Sequence, residues 1–105
     1  MNVYYKKTAI DDIRATESYI SQKLHNTVAA KKLTRNIIQA VSRLSAAPYM
    51  GTPLRSKYEV DTDLRFLIVS KHLIFYRVVE AARRIEVTRV IDGRRDYMAI
   101  LFTWP

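Results

Sequence analysis

Cysteine is absent from this sequence, and glycine, histidine and proline are scarce, with two, two and three copies in 105 residues. Without cysteine there is no disulfide framework, no thiolate metal site and no cysteine nucleophile. His25 and His72 cannot build a metal cage by themselves, so neither a metal nor a cofactor is expected. The first residues, Met1-Asn2-Val3-Tyr4-Tyr5-Lys6-Lys7, lack an apolar stretch of signal-peptide length, and no later run is long enough to span a bilayer. These absences predict a cytoplasmic protein with no membrane partner. Internal repeats and low-complexity segments are missing as well. Acidic residues are missing from one long stretch: none stands between Glu17 and Glu59, where Lys23, Lys31, Lys32, Arg35, Arg43, Arg55 and Lys57 all fall.

What is present is the composition of an ordinary globular protein, 49% hydrophobic and 27% charged. The length fits one domain over residues 1–105, which buries roughly two thirds of its unfolded surface. Eighteen Lys and Arg against ten Asp and Glu give a net charge of +8. That excess points to a polyanionic partner: nucleic acid, ribosome or an acidic protein segment.

Val3, Tyr4 and Tyr5 read as a short opening strand. Thr8 is placed to cap a helix with Asp11 and Asp12 in its first turn, and this helix runs to about His25. Its stripe comprises Ile10, Ile13, Ile20 and Leu24, with Ala9 and Tyr19. Asn26 or Thr27 caps a second helix whose Ala30, Leu33, Ile37, Ala40, Val41 and Leu44 repeat at helical spacing, so the two form an antiparallel hairpin. Pro48, Gly51 and Pro53 then break the pattern, and residues 46–63 read as a long loop carrying Arg55, Lys57 and Tyr58. Residues 64–69, 73–79 and 85–91 are rich in β-branched and aromatic side chains and predict three antiparallel strands. The middle one is apolar almost throughout, as in a strand covered on both faces. Tyr97, Met98, Leu101 and Phe102 predict a short C-terminal helix or an extended tail packed on the core. The fold class is α+β, in the order β-α-α-β-β-β.

Several junctions carry further wording. Thr8-Ala9-Ile10-Asp11-Asp12-Ile13 with Tyr19-Ile20, then Asn26 with Ala29-Ala30 and Leu33, then Pro48 and Gly51, then Ile74-Phe75-Tyr76-Arg77-Val78, and finally Arg89-Val90-Ile91-Asp92-Gly93-Arg94-Arg95-Asp96-Tyr97 follow one another in order. Together they resemble the RelE/ParE superfamily of toxins from type II toxin-antitoxin systems, over nearly the whole chain. The resemblance implies a growth inhibitor held silent, in a hetero-oligomer, by a labile antitoxin whose tail wraps around it. The +8 charge suits an acidic wrapping segment.

The superfamily implies two mechanisms. RelE-like members cut mRNA on the ribosome, which needs a proton acceptor for the ribose 2′-hydroxyl, an acid for the leaving oxygen and cations around the transition state. Arg65, Arg95 and Tyr97 are the catalytic candidates for that chemistry, although arginine stays protonated and tyrosine needs strong tuning to act as a base. Such ribonucleases usually carry an arginine ahead of two apolar residues and a tyrosine in the central strand. Here the run is Leu73-Ile74-Phe75-Tyr76, and Leu64 and Phe66 stand where some of them place lysines. ParE-like members instead poison DNA gyrase, and the missing central-strand arginine with the Gly93-Arg94-Arg95-Asp96 ending favours that branch. On either branch Arg55, Lys57, Arg65, Arg94, Arg95 and Tyr97 are the candidate contacts to target or nucleic acid, and Arg77 and Arg89 those to the antitoxin.

A third reading is a small basic nucleic-acid-binding module that stacks bases on Tyr58, Tyr97 and Trp104. Each sharp assignment has a plain counterpart. Arg94 and Arg95 can pair with Asp92 and Asp96 at a turn, Tyr97 can anchor the core, and Gly93 can serve a positive φ. His25 and His72 suit capping or surface roles.

Overall fold

A five-stranded sheet in the order β1-β5-β4-β3-β2 forms the middle layer of this computed structural model, which describes residues 1–102. Strand β1 (Asn2–Tyr5) lies parallel to β5 (Arg84–Asp92), pairing Val3 with Ile85 and Tyr5 with Val87. The predicted strands appear as β3 (Arg65–Val69), β4 (His72–Val79) and β5, all antiparallel. Beyond them, Thr52–Pro53 add a two-residue β2 to the edge of β3, so the predicted loop is partly sheet. Pro53 is tolerated there because an edge strand needs no second row of N–H donors.

Helices α1 (Lys7–Ser18) and α2 (Thr27–Ser42) cover one face. The stripe read from the second helix is buried throughout: Ala30, Leu33, Ile37, Ala40, Val41 and Leu44 all face inward. Leu33, Ile37, Val41 and Leu44 meet Ala9, Ile74, Tyr76, Ile85, Val87 and Val90 in the main core. Asn26 caps α2 by accepting from the Ala29 N–H at 3.0 Å. The start of α1 differs from expectation. The helix begins at Lys7 after Lys6, whose side chain caps nothing, and the Thr8 hydroxyl donates instead to the Thr88 carbonyl at 2.6 Å. Asp11 and Asp12 therefore lie beyond the first turn, where Asp11 pairs with Lys7 and Asp12 with Arg89. Thr88 is the extra residue of a β-bulge, since Phe75 faces Arg89 while Tyr76 faces Val87.

After Ser18 the first helix widens into one π-type turn, Tyr19–Lys23, in which Leu24 N–H reaches the Tyr19 carbonyl five residues back. This overturns part of the predicted stripe. Ile20 packs on the core, but Tyr19 and Leu24 are 57% and 56% exposed. Tyr19 stands one residue ahead of the inward row, and the widened turn swings Leu24 away from it.

The second face of the sheet has its own core of Leu54, Phe66, Leu73, Phe75, Ile91 and Tyr97. Its cover is the linker after α2 together with α3 (Tyr97–Leu101), the helical alternative for the C-terminal segment. Trp104 lies outside the described residues. The β3–β4 hairpin turns through Ser70 and Lys71, both at positive φ, as a tight turn between right-twisted strands requires. Gly93, expected at positive φ, is not there. Its value is space: a Cβ would stand 2.9 Å from Leu73 Cδ1 and 3.0 Å from the Lys71 carbonyl, to which the Gly93 N–H donates at 2.8 Å.

Candidate functional site

The turn after β5 positions most of the candidate residues. Gly93 ties it to the β3–β4 hairpin, the Arg95 N–H donates to the Asp92 carbonyl at 3.0 Å, and Asp96 caps α3 by accepting from the Ala99 N–H at 3.2 Å. Tyr97 thereby becomes the first residue of α3 and turns its ring inward against Phe75, with ring centres 5.6 Å apart. Its hydroxyl meets the Tyr58 hydroxyl at 2.7 Å and accepts from Lys57 Nζ at 3.2 Å, contacts that span about 40 residues of chain. Hydrogen bonding from Tyr58, with the Lys57 ammonium beside it, lowers the Tyr97 phenol below the ordinary tyrosine value, while Tyr58 is raised by the same contact. Lys57 also sits within 5.6 to 5.9 Å of the Tyr58, Phe66 and Tyr97 ring centres. The sequence named these residues separately, and no local spacing could have paired them.

The arginines divide by how firmly the fold holds them. Arg65 donates from Nε to the Gly51 carbonyl at 3.1 Å and from Nη2 to the Tyr49 carbonyl at 2.9 Å, stapling the linker to β3. Arg89 makes a two-pronged bridge to Asp12, which also accepts from the Val90 N–H at 2.9 Å, so this guanidinium locks α1 to β5. Arg77 spans both oxygens of exposed Asp63 through Nη2. Arg94 bonds Asp92 through Nε and Nη2, yet 83% of its side chain stays exposed. Its guanidinium and backbone N–H hold the Asp92 carboxyl far below the usual carboxylate range. Arg55 and Arg95 are exposed and have no carboxylate partner among the described residues. Leu73 and Phe66 are core side chains, 6% and 5% exposed.

Two grooves flank α1. One, of about 650 Å³, runs between the helices over Ile10, Ile13 and Ile38, with Arg14 and Glu17 among its lining. The other, of about 450 Å³, lies between the widened turn and the end of β5, lined by Tyr19, Ile20, Leu24, Val90, Arg94 and Arg95 among others. His72, at the start of β4, borders this second groove and turns Nδ1 toward the Ser70 carbonyl; His25 takes positive φ at the end of the hairpin. Among the described residues no group of three metal-ligating side chains is assembled, and no helix is long and apolar enough to cross a membrane.

The sequence model for the ParE toxin of the type II toxin-antitoxin system parDE matches residues 3–97. The chain belongs to the ParE toxin family. No curated protein sequence matches it. Among solved structures, the chromosomal ParDE toxin-antitoxin system from P. aeruginosa is similar at a TM-score of 0.70 and 22% identity, over 88% of this chain and 95% of that one. The intact E. coli RelBE toxin-antitoxin complex gives 0.55 at 12% identity, over 90% and 98%. The isolated E. coli RelE toxin gives 0.57 at 12%, over 95% and 94%. At these identities the structural likeness is one of fold, and it agrees with the RelE/ParE architecture that the resemblance implied.

Proposed function

We propose that this ParE-family protein acts in the cytoplasm as the growth-arresting half of a toxin-antitoxin pair, by trapping DNA gyrase on cleaved DNA. The observation that carries the choice of target is the burial of Leu73 and Phe66. Ribosome-dependent ribonucleases of the superfamily usually place an arginine at the first of these positions and some place a lysine at the second, and here both side chains are spent on the second core. A buried apolar pair supplies no charge to a phosphorane-like transition state. Arg65, the neighbouring cation, is held by two carbonyls of the linker. Arg94, Arg95 and Arg55 then serve as contacts to the target rather than as proton carriers.

The antitoxin is proposed to lay an acidic amphipathic segment in the 650 Å³ groove between the helices, and to offer a carboxylate to Arg77 in place of exposed Asp63. Co-expression of the partner gene should restore growth. The decisive comparison uses purified protein in two assays, gyrase-dependent cleavage of supercoiled DNA and cleavage of ribosome-bound mRNA. Trapped gyrase–DNA with intact mRNA is the expected result, and the reverse pattern removes the gyrase reading.

One feature favours the second mechanism. Lys57 and Tyr58 lower the Tyr97 phenol, which is the direction a general base needs. If ribosome-bound mRNA is cut, Tyr97→Phe should abolish the cut.

A further inference from the structure

We propose that the groove between the widened turn of the first helix and the Arg94–Arg95 turn is where the toxin grips its protein target, and that it takes an acidic segment bearing a large apolar side chain. This rests on the toxin reading above and names the surface and the chemistry that reading leaves open.

The floor of the groove is apolar and unusually presented. Tyr19 and Leu24, each more than half exposed, stand beside Ile20 and Val90. Leu24 is not displayed by fraying. Its own N–H is bonded to Tyr19, and the Asn26 N–H behind it is bonded to the Ile20 carbonyl at 3.2 Å, so the turn is held open in a defined shape. Such widened turns are rare, occur mostly as single turns inside α-helices, and recur at functional sites. Large exposed apolar side chains gathered on one surface mark contact surfaces rather than solvated ones.

The rim decides the chemistry of the occupant. The carboxylates of Asp12 and Asp92 are already bound, the first by Arg89 and the Val90 N–H, the second by Arg94. Among the described residues Arg95 has no carboxylate partner, and exposed Arg94 keeps donors to share. The helix hairpin that forms the opposite wall carries no acid after Glu17. One or two carboxylates beside an apolar side chain complete this pattern, since arginine accepts a carboxylate through two parallel hydrogen bonds. A phosphate backbone fits less well, because it would lie on the apolar floor of Tyr19, Ile20, Leu24 and Val90, where a nucleic-acid surface needs cations. The groove on the other side of α1 is the roomier of the two, about 650 against 450 Å³, and is assigned above to the antitoxin, which leaves this one to the target.

The test replaces Tyr19 with the photo-crosslinker p-benzoylphenylalanine in toxin expressed in cells, and compares growth arrest by wild type, Leu24→Asp and Arg94→Ala with Arg95→Ala. Co-purification with the antitoxin and thermal unfolding establish that each variant folds. The expected result is a protein adduct, distinct from the antitoxin, mapping by mass spectrometry to an acidic segment and lost when the two arginines are removed. Arrest should weaken by at least about tenfold in both variants, as for the loss of central anchors of an interface. A nuclease-sensitive adduct, an adduct to the antitoxin, or undiminished arrest by both folded variants overturns the proposal. Failure of the wild-type chain to arrest growth would instead remove the toxin reading, and the adduct would then decide the groove alone.

Discussion

On either side of the turn that follows β5, two regions have settled their polar groups differently. On the sheet side, Tyr97 is 8% exposed, and its hydroxyl is shared by Tyr58 and Lys57 above a floor of Phe66 and Phe75. On the helix side, Arg94 and Arg95 project from the surface beside exposed Tyr19 and Leu24. The first region shares the Tyr97 and Tyr58 hydroxyls and the Lys57 ammonium among its own side chains. The second keeps charge and apolar area in water, which contributes little to folding and suits it to binding. The difference separates what holds this ParE-family fold together from what it leaves exposed at the surface.

The largest expected effect lies in the main core behind both regions, where Tyr76 packs. Gly51→Ala would set a Cβ 2.5 Å from the Tyr76 hydroxyl and 2.9 Å from the Phe66 carbonyl. Tyr76 is fully buried, and its hydroxyl accepts from the Gly51 N–H at 2.9 Å while donating to the Pro48 carbonyl. Neither neighbour has room to retreat, so the substitution should cost about 3 kcal/mol in urea unfolding. A wild-type midpoint would show that the linker is free to lift. Asp12→Ala comes next. It strips Arg89 of its partner and leaves the Val90 N–H unbonded, at a cost of about 2–3 kcal/mol. Because Asp12 also borders the open groove, its variant should lose stability and arrest together, unlike the arginine variants.

How much of this was readable follows from range. The helix stripe from Ala30 to Leu44, the Asn26 cap and the three long strands obey local periodicity and capping chemistry, and each stands where the sequence put it. Local rules failed where partners are distant. Thr8 has the right chemistry for a cap, but its hydroxyl goes to Thr88, 80 residues away. The pairing of β1 with β5 is parallel and joins the two ends of the chain, which no spacing encodes. Ser70 and Lys71 take positive φ without glycine because the β3–β4 pairing imposes it, whereas Gly93 avoids positive φ and serves close approach. The candidate contacts were legible as residue types. Their division into stapled arginines and an exposed pair depended on carbonyls and carboxylates that only the fold brings near.

Tyr97→Phe bears directly on the contrast. Removing the hydroxyl leaves Tyr58 and Lys57, both near solvent, to rebind water, so the cost should be about 1 kcal/mol. Under the gyrase reading the folded variant still arrests growth. Complete loss of arrest at near-native stability would move the functional centre from the open region to the closed one.

The smallest effect is the most specific to the open region. Arg94→Ala should change stability by less than about 0.5 kcal/mol, since an exposed pair contributes little. It should nonetheless move the titration of Asp92. In the wild type, Arg94 holds that carboxyl down, so its stabilising contribution is present above the ordinary aspartate value of about 3.9 and is lost only as pH falls through its much lower folded value. Without the guanidinium, the Asp92 carboxyl resonance followed by NMR should titrate closer to the ordinary value, with the backbone N–H of residue 94 retaining part of the shift. An unmoved midpoint would mean that Arg94 spends its time away from Asp92. The turn would then present two available arginines rather than one, and the open region would be more strongly cationic than the paired geometry makes it.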